Sequence, residues 1–298
     1  MPPSDLRTKT IVITGASSGF GKGAALGFAA AGATLVLAAR RGQLLKSLAR
    51  ECERKGARTI AVPTDVSERK EVEELAQQAR AEFGAIDVWI NDAGVAALGR
   101  FEEIPLDDHV QVINTNLLGV LYGSYVALRQ FREQGHGTLI NIASSLGKFP
   151  SPYYASYVAS KHGVVGLGGA IRQELRAKDA RDIHVCTVMP MSMDTPFFDH
   201  AASYTGHQVV PIPPLYDEQK VVDAIVKLAG KPQDEVIIGG AGKLMKAAHG
   251  LAPKVAERLM GKHTHKAMIE KAPRARNKAG NLRRPVQTGT GVSGGRKG

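Results

Sequence analysis

The chain has 298 residues, of which 43% are hydrophobic, and a formal net charge of +11. This length is sufficient for a large hydrophobic core. The longest apolar stretch, residues 24–39, is interrupted by Gly27 and Gly32, so we expect no transmembrane helix. Two isolated cysteines, Cys52 and Cys186, show no metal-ligand spacing, and the N-terminus shows no signal-peptide layout. These features predict a reduced cytoplasmic protein without a metal centre.

Strands and helices are predicted to alternate along the first 240 residues. Strands are expected at 9–14, 33–39, 58–63, 86–91, 136–143, 183–189 and 235–239. Helices are expected at 19–31, 42–55, 67–84, 105–133, 155–178 and 217–229. This order is typical of a doubly wound α/β fold, with a parallel Rossmann-like sheet and helices on both faces. Because no linker interrupts it, we predict that residues 1–240 form one domain.

A glycine-rich turn follows the first predicted strand. The turn reads Gly15-Ala16-Ser17-Ser18-Gly19-Phe20-Gly21 and leads into an apolar helix. Such a turn is suited to a pyrophosphate, because glycines allow close backbone approach and the helix N-terminus attracts anions. The glycine spacing differs from the Gly-x-Gly-x-x-Gly pattern, so an ordinary βα connection is the alternative.

Arg40 and Arg41 follow the second predicted strand. In a dinucleotide-binding fold, an acidic residue at this position would bond the ribose 2′-hydroxyl. Two guanidinium groups favour a 2′-phosphate instead, because each can bind phosphate with two hydrogen bonds. The pair therefore predicts NADP(H) in preference to NAD(H). The alternative is that both arginines end the strand and face water.

Tyr157 and Lys161 are four residues apart in a predicted helix, and Ser144 lies thirteen residues upstream of Tyr157. Residues at this spacing project from the same helix face. A lysine beside a phenol stabilises the phenolate and lowers a pKa that is ordinarily about 10. The group could then exchange protons at neutral pH. Taken alone, the pattern is equally typical of a solvated pair.

In combination, the motifs resemble those of the short-chain dehydrogenase/reductase family over residues 9–240. Asp92 stands where the family has a second asparagine, and Met191 stands where it has a glycine. The matching segments are Thr14-Gly15-x-x-x-Gly19-x-Gly21, Asp65-Val66, Asn91-Asp92-Ala93-Gly94, Asn116-Leu117-Leu118-Gly119, Ser144, Tyr157, Lys161 and Pro190 to Thr195.

The resemblance implies a catalytic set of Asn116, Ser144, Tyr157 and Lys161. Tyr157 would donate a proton to the carbonyl oxygen in reduction and accept it back in oxidation. Lys161 would lower the tyrosine pKa and bond the nicotinamide ribose. Ser144 would polarise the substrate oxygen, and Asn116 would hold a water that links Lys161 to solvent.

The resemblance also implies a cofactor set. It comprises Gly15, Ser17, Ser18, Gly19, Phe20, Gly21, Arg40, Arg41, Asp65, Val66, Asn91, Ala93, Gly94, Tyr157, Lys161, Pro190 and Thr195. Thr195 would contact the nicotinamide carboxamide. Two catalytic positions have alternatives in the sequence: Asn114 for Asn116 and Ser145 for Ser144.

We therefore predict an NADP(H)-dependent oxidoreductase acting on a carbonyl/secondary alcohol pair. Residues 196–216 should form a substrate lid, with Phe197, Phe198, His200, Tyr204, His207 and a proline cluster. With Phe149, Tyr153 and Tyr154, these residues favour an apolar pocket for a lipid-like, steroid-like or aromatic substrate. Aromatic residues also anchor loops, which is the alternative role for this group.

The whole excess of positive charge lies in the last 68 residues, which hold 15 Lys and Arg against 4 Asp and Glu. An amphipathic helical extension is predicted at 241–270, with Pro253 as a break. Its apolar face comprises Leu244, Met245, Ala248, Leu251, Ala252, Val255, Leu259 and Met260. We expect this face to pack over a subunit or a cleft, with weak contact to an anionic membrane surface as the alternative.

The basic tail at 271–298 is rich in Gly, Thr, Ser and Pro and is predicted to be disordered. It lacks the interleaved aromatic residues of a nucleic-acid binder, so no specific nucleic-acid partner is expected. The family resemblance implies a homo-oligomer, either a dimer or a tetramer. The alternative functions are an NADP-binding scaffold or sensor acting through the basic extension, and an isomerase or epimerase that uses the cofactor transiently.

Overall fold

The computed structural model describes residues 4–242 and 251–297. Within them, seven parallel strands form one sheet, in the order β3-β2-β1-β4-β6-β7-β9. The strands are β1 (Thr10–Thr14), β2 (Thr34–Ala39), β3 (Thr59–Pro63), β4 (Val88–Asn91), β6 (Gly137–Ile142), β7 (Ile183–Pro190) and β9 (Glu235–Ile238). Two short strands, β5 (Ala97–Leu98) and β8 (Ala202–Ser203), pair with each other outside this sheet.

The described helices cover both faces of the sheet and extend beyond it. They are α1 (Gly19–Ala30), α2 (Gly42–Arg54), α3 (Arg69–Phe83), α4 (Leu106–Ile113), α5 (Gly119–Gln134), α6 (Ala155–Ala177), α7 (Phe197–His200), α8 (Gln219–Gly230) and α9 (Pro253–His265). Short 3₁₀ turns lie at Ser4–Thr8, Phe101–Glu103 and Ser145–Gly147. Two π-helical turns lie at Asn114–Leu118 and Lys266–Glu270. No helix in the described part of the chain is long and apolar enough to cross a membrane.

Alternating side chains of the central strands build two hydrophobic layers. In β1, Ile11 and Ile13 contact the layer that holds Phe28 of α1. Val12 points to the opposite layer, which holds Phe131 of α5. This two-residue period places apolar side chains on both faces, so every central strand is buried between helices.

The order of the strands reverses at β1 and β4, since β1 lies between β2 and β4. In doubly wound sheets, ligands bind in the crevice beyond the carboxyl ends of the strands at such a reversal. The glycine-rich turn follows β1, and Asp92 follows β4. The topology therefore brings both segments to one crevice.

The predicted α/β fold is confirmed. Each predicted strand and helix of the sheet domain begins and ends within two residues of the observed first and last residues. The exception is the predicted helix 105–133, which the π turn at Asn114–Leu118 divides into α4 and α5. The sequence analysis did not predict β5 and β8, which are two residues long each.

The C-terminal extension has a helix break at the predicted place. Leu251 is helical, Ala252 is not, and Pro253 begins α9, where proline in the first turn sacrifices no intrahelical hydrogen bond. The predicted apolar positions Leu244, Met245 and Ala248 lie outside the described residues. The division of the chain at 240 and 270 stays a prediction.

Residues 271–297 are packed on the domain, in contrast to the disorder that we expected. Leu282 is fully buried in a cluster with Ala97 and Ala202. Backbone bridges join Lys278 to Ser203 and Arg274 to His207. The tail has too few apolar residues to form a core of its own. It is ordered because Leu282 packs into the folded domain and donors of that domain bond its carbonyl groups.

Candidate active site

A cleft of about 310 Å³ lies at the carboxyl ends of the strands. It is lined by every residue of the predicted cofactor set except Gly21 and Asn91. Ser144, Tyr157 and Lys161 line it as well, as does Ser145. The residues that sequence reasoning selected from distant segments are therefore brought together at one site.

The glycine-rich turn is packed directly against the segment after β4. Gly15 has a φ of +75°, and a Cβ atom there would lie 2.7 Å from the backbone nitrogen of Ala93. A Cβ atom at Gly21 would lie 2.6 Å from the Gly15 carbonyl oxygen and 2.9 Å from an Asp92 carboxylate oxygen. Both positions therefore require glycine, and the resulting cradle at the start of α1 fits a dinucleotide pyrophosphate.

Arg41 reaches the glycine-rich turn. Its Nε donates to the Ser17 hydroxyl at 3.0 Å, and its Nη2 donates to the Ser18 hydroxyl at 2.7 Å. A guanidinium flanked by two hydroxyl groups offers the donors that a 2′-phosphate requires. The Arg40 side chain instead contacts Asp65 and the tail. Its Nη1 lies 3.8 Å from an Asp65 carboxylate oxygen and donates to the Leu282 carbonyl oxygen at 3.0 Å.

Asn91 contributes to the core and does not line the cleft. Its side-chain oxygen accepts from the Trp89 indole at 2.8 Å, and its Nδ2 donates to Asn141 Oδ1 at 2.8 Å. It thereby links β4 to β6 within the buried interior. Its neighbour Asp92 lines the cleft, as do Ala93 and Gly94 of the same motif.

Tyr157 and Lys161 lie on the first two turns of α6, with the Lys161 ammonium 5.6 Å from the centroid of the tyrosine ring. Burial raises the pKa of Tyr157 to about 12, while a hydrogen bond with Ser144 opposes this shift. The phenol is therefore protonated at neutral pH. It is suited to donate a proton.

Lys161 is buried, and its Nζ donates to the Ile142 carbonyl oxygen at 2.9 Å. Burial lowers the pKa of Lys161 to about 8, and the negative charge of Asp92 opposes that shift. Burial raises the pKa of Asp92 to about 7, opposed by Lys161 and by a backbone hydrogen bond from Gly21. Asp92 is thus an acidic group whose charge acts on Lys161, a role that the sequence analysis did not assign.

Asn116 lies in the π turn and is fully buried. Its amide accepts from the Val95 backbone nitrogen at 2.8 Å and donates to the Val95 carbonyl oxygen at 2.9 Å. It also donates to the Ser160 hydroxyl at 3.2 Å. The side chain therefore fixes the loop after β4 to α6, which positions the cleft wall from behind; Asn114 is half-buried and does not line the cleft.

Aromatic side chains surround Tyr157. The Tyr154 ring centroid lies 6.0 Å from that of Tyr157, and the Phe197 ring centroid lies 5.7 Å from it. The apolar wall of the cleft comprises Leu146, Met193, Tyr154, Phe197, Phe198, Ile212, Pro213, Pro214 and Met260. Pro211 of the predicted proline cluster does not line the cleft. Neither do Phe149, Tyr153, Tyr204 and His207. They instead pack or anchor loops, as Tyr153 does by bonding His265 at 2.6 Å.

The C-terminal extension contributes further lining residues that sequence reasoning missed. They are Met260 and His263 from α9, and Asn281, Pro285 and Val286 from the tail. Their contribution agrees with packing of the extension over a cleft. Local sequence offers no signal for it, because Val286 meets Arg41 across 245 residues of chain.

Comparisons with known proteins agree with this fold. The short chain dehydrogenase family model matches residues 9–204. An uncharacterized oxidoreductase, YxnA, of Bacillus subtilis is 34% identical over 86% of this chain and 72% of its own length. Both sequences therefore align well beyond the glycine-rich turn.

Two solved structures share the fold and bear on the cofactor. An alcohol dehydrogenase from Thermococcus sibiricus complexed with 5-hydroxy-NADP superposes with a TM-score of 0.67, at 27% identity, over 77% of this chain and 95% of that one. A short chain dehydrogenase/reductase from Burkholderia phymatum in complex with NAD has a TM-score of 0.76, at 25% identity, over 84% of this chain and 96% of that one. With the family match and the converged site, these likenesses show that the chain belongs to the short-chain dehydrogenase/reductase family of nicotinamide-dependent oxidoreductases.

Proposed function

We propose that this protein is an NADP(H)-dependent oxidoreductase that interconverts an apolar ketone or aldehyde and its alcohol, with Tyr157 as the general acid and base. The observation that carries the proposal is the presence of Ser144, Tyr157 and Lys161 in one cleft with the glycine-rich turn. When bound, the nicotinamide supplies or accepts the hydride.

The chain's own residues handle the proton and the oxygen. Tyr157 donates its phenolic proton to the carbonyl oxygen during reduction and regains it from the alcohol during oxidation. The Ser144 hydroxyl donates to the same oxygen and polarises the carbonyl. The Lys161 charge stabilises the tyrosinate that remains after transfer. Asn116 holds the loop after β4 against α6, which keeps this arrangement in place.

The apolar wall around Tyr157 supports a bulky apolar substrate. Its rings and aliphatic side chains exclude water from the reacting carbonyl, and few charged groups on that side would pair with a sugar acid or a phosphate. A panel of lipid-like, steroid-like and aromatic ketones and aldehydes tests this proposal, with oxidation of NADPH and of NADH followed by absorbance. Cofactor binding without turnover on any of these compounds would favour the scaffold or sensor function.

The preference for NADP(H) rests on Arg41, and we expect Arg41→Ala to weaken NADPH binding about 10- to 100-fold. Hydrogen bonds to a charged group contribute about 1.5–3 kcal/mol, and Arg41 would lose such bonds to the 2′-phosphate. Fluorescence titration of both cofactors measures the effect. NADH is the internal control, because it lacks the phosphate; an equal loss for NADH and NADPH would contradict this role of Arg41.

The electrostatic interaction between Asp92 and Lys161 predicts the pH dependence of reduction. Lys161 is charged below its pKa of about 8, so kcat/KM for reduction should fall as the pH rises through that value. Asp92→Asn removes a charge that raises the lysine pKa, so the falling limb should move about one pH unit lower. Overlapping pH profiles for the two enzymes would show that Lys161 does not control this limb.

We also propose a homo-oligomer in the cytoplasm. Large apolar side chains are exposed on neighbouring helices, with Leu106 and Val110 on α4 and Leu121 and Tyr125 on α5. Such a patch is suited to a second copy of the chain. Cys52 and Cys186 are free and buried, which agrees with a reducing compartment. Light scattering of the purified protein measures the oligomeric state.

A further inference from the structure

The C-terminal strap, residues 281–297, runs along the cofactor cleft. Near its start, the side chain of Leu282 is buried in the domain. At its end, the backbone N–H groups of Arg296 and Lys297 each donate to Asp194 Oδ2 at 2.7 Å. Asp194 belongs to the segment after β7, whereas Arg41 follows β2. The strap therefore spans the two walls between which a dinucleotide lies in this fold.

The carbonyl oxygens of the strap occupy donors of the cofactor site. The Gly19 backbone N–H, at the first position of α1, donates to the Gly291 carbonyl oxygen at 2.9 Å. Arg41 Nη1 donates to the Val286 carbonyl oxygen at 3.0 Å. Lys22 Nζ, also on α1, donates to the Thr290 carbonyl oxygen at 3.1 Å. A pyrophosphate and a 2′-phosphate would need these donors.

Arg40 is occupied in the same way. Its two terminal nitrogens donate to the carbonyl oxygens of Asn281, Leu282 and Arg283. On the opposite wall, His200 Nε2 lies 2.8 Å from the Thr288 carbonyl oxygen. The strap thus satisfies donors along the whole length of the groove with neutral oxygens.

We infer that the strap is an intramolecular ligand of the cofactor cleft, and that the phosphates of the dinucleotide displace its segment 285–291 when they bind. This inference rests on the proposed use of a nicotinamide dinucleotide.

The positive charges of the cleft explain why a phosphate group displaces the strap. Its carbonyl groups accept hydrogen bonds but do not neutralise Arg40, Arg41 and Lys22, and the strap adds positive charge at both ends. The bonds from Arg41 and Lys22 to neutral carbonyls are charge-assisted through the donor alone, whereas a phosphate acceptor also carries negative charge. A phosphate is therefore the better acceptor for these groups, and it reduces the repulsion among the cations.

The strap also sets the apparent affinity. Because it is part of the same chain, it competes at every protein concentration. The apparent Kd equals the intrinsic Kd divided by the fraction of molecules with an open cleft. A change that weakens an anchor of the strap outside the cofactor site should therefore tighten cofactor binding.

Hydrogen exchange on the full-length protein tests the displacement directly. Saturating NADPH should speed exchange at least about tenfold at the strap amides of Gly294, Arg296 and Lys297, which donate to Asp194, because this anchor loses the support of segment 285–291 when that segment leaves the cleft. The Gly19 amide should stay protected, because a phosphate oxygen takes over from the Gly291 carbonyl. Slower exchange in the strap would show that it clamps the bound cofactor, and unchanged exchange would show that it does not respond; either result overturns the inference.

A pair of substitutions provides the second test. Arg296→Ala removes bonds to Asp194, Asp199 and the Thr195 carbonyl oxygen, and should lower the Kd for NADPH about three- to tenfold. Arg276→Ala removes the same charge from an exposed side chain of the tail that lies outside the strap and has no hydrogen bond or ion pair with any described residue, and should leave the Kd unchanged. Equal Kd values for Arg296→Ala and the unmodified protein would contradict the competition.

Failure of the proposed function would look different from failure of the strap. If neither NADPH nor NADH binds to the unmodified protein or to either variant, the cleft is not a dinucleotide site, and both proposals fall. If NADPH binds but neither the exchange of the strap nor the Arg296→Ala affinity responds as stated, only the strap inference falls.

Discussion

Replacing Tyr157 with phenylalanine should reduce turnover about a thousandfold while leaving cofactor affinity unchanged. The ring and its contacts with Tyr154 and Phe197 remain, and only the proton donor is lost. General acid catalysis by a positioned side chain contributes about 10²–10⁴ in rate. Burial raises the pKa of Tyr157 to about 12, so the native phenol carries its proton at neutral pH. The rate of NADPH oxidation with an active ketone, together with the NADPH Kd, measures both parts of this expectation.

Tyr154→Phe is the matched control. Tyr154 is a buried tyrosine on the same wall of the cleft. Its substitution also removes one phenolic hydroxyl group, but from the ring next to that of Tyr157. We expect a change of no more than a few-fold in KM. Similar losses in kcat for Tyr154→Phe and Tyr157→Phe would contradict the assignment, because general repacking of the wall would then explain both.

The sheet domain could be predicted from the sequence because its signals are local. The buried strands are short apolar runs, and the turn after β1 is marked by glycines whose neighbours fix the helix start. The π turn at Asn114–Leu118 could not be predicted in this way, since the helical pattern continues through it. It is stabilised by the pairing of Asn116 with Val95, which is a contact 21 residues away.

Two adjacent residues of the motif at the end of β4 have different surroundings, which the family resemblance does not indicate. Asn91 and Asp92 are adjacent, and both stand in the matching segment. Successive side chains at a strand end point to opposite faces, so Asn91 enters the core beside Trp89 while Asp92 faces the cleft. The two-residue period alone would have separated their roles, and the structure adds that the charge of Asp92 acts on Lys161.

The tail could not be predicted from composition because its partners lie elsewhere in the chain. Disorder is expected when a segment cannot bury enough apolar surface to offset its conformational entropy. Here a single buried leucine, Leu282, and hydrogen bonds from Arg40 and Arg41 supply that stabilisation. The sequence motif predicted that Arg40 and Arg41 bind a cofactor, but their guanidinium groups can also donate to the backbone carbonyl groups of the tail.

Gly15→Ala should raise the Kd for NADPH at least about a hundredfold, which corresponds to about 2.7 kcal/mol. The new Cβ atom would lie 2.7 Å from the Ala93 nitrogen and 2.9 Å from the Ala93 Cα. Both are backbone atoms, so the turn itself must move. That movement misplaces the N–H groups at the start of α1, and each lost hydrogen bond to a phosphate costs about 1.5–3 kcal/mol.

Gly135→Ala separates steric clash from backbone strain. Gly135 is left-handed with a φ of +84°, close to the +75° of Gly15, but no atom lies within 4 Å of the position that its new Cβ atom would take. Each substitution carries the left-handed penalty of about 1–2 kcal/mol, which thermal unfolding measures. Only Gly15→Ala should also lose affinity for NADPH. Equal affinities for the two variants would mean that the glycine-rich turn tolerates displacement, and that the cofactor phosphates are bound chiefly by the arginines beyond β2.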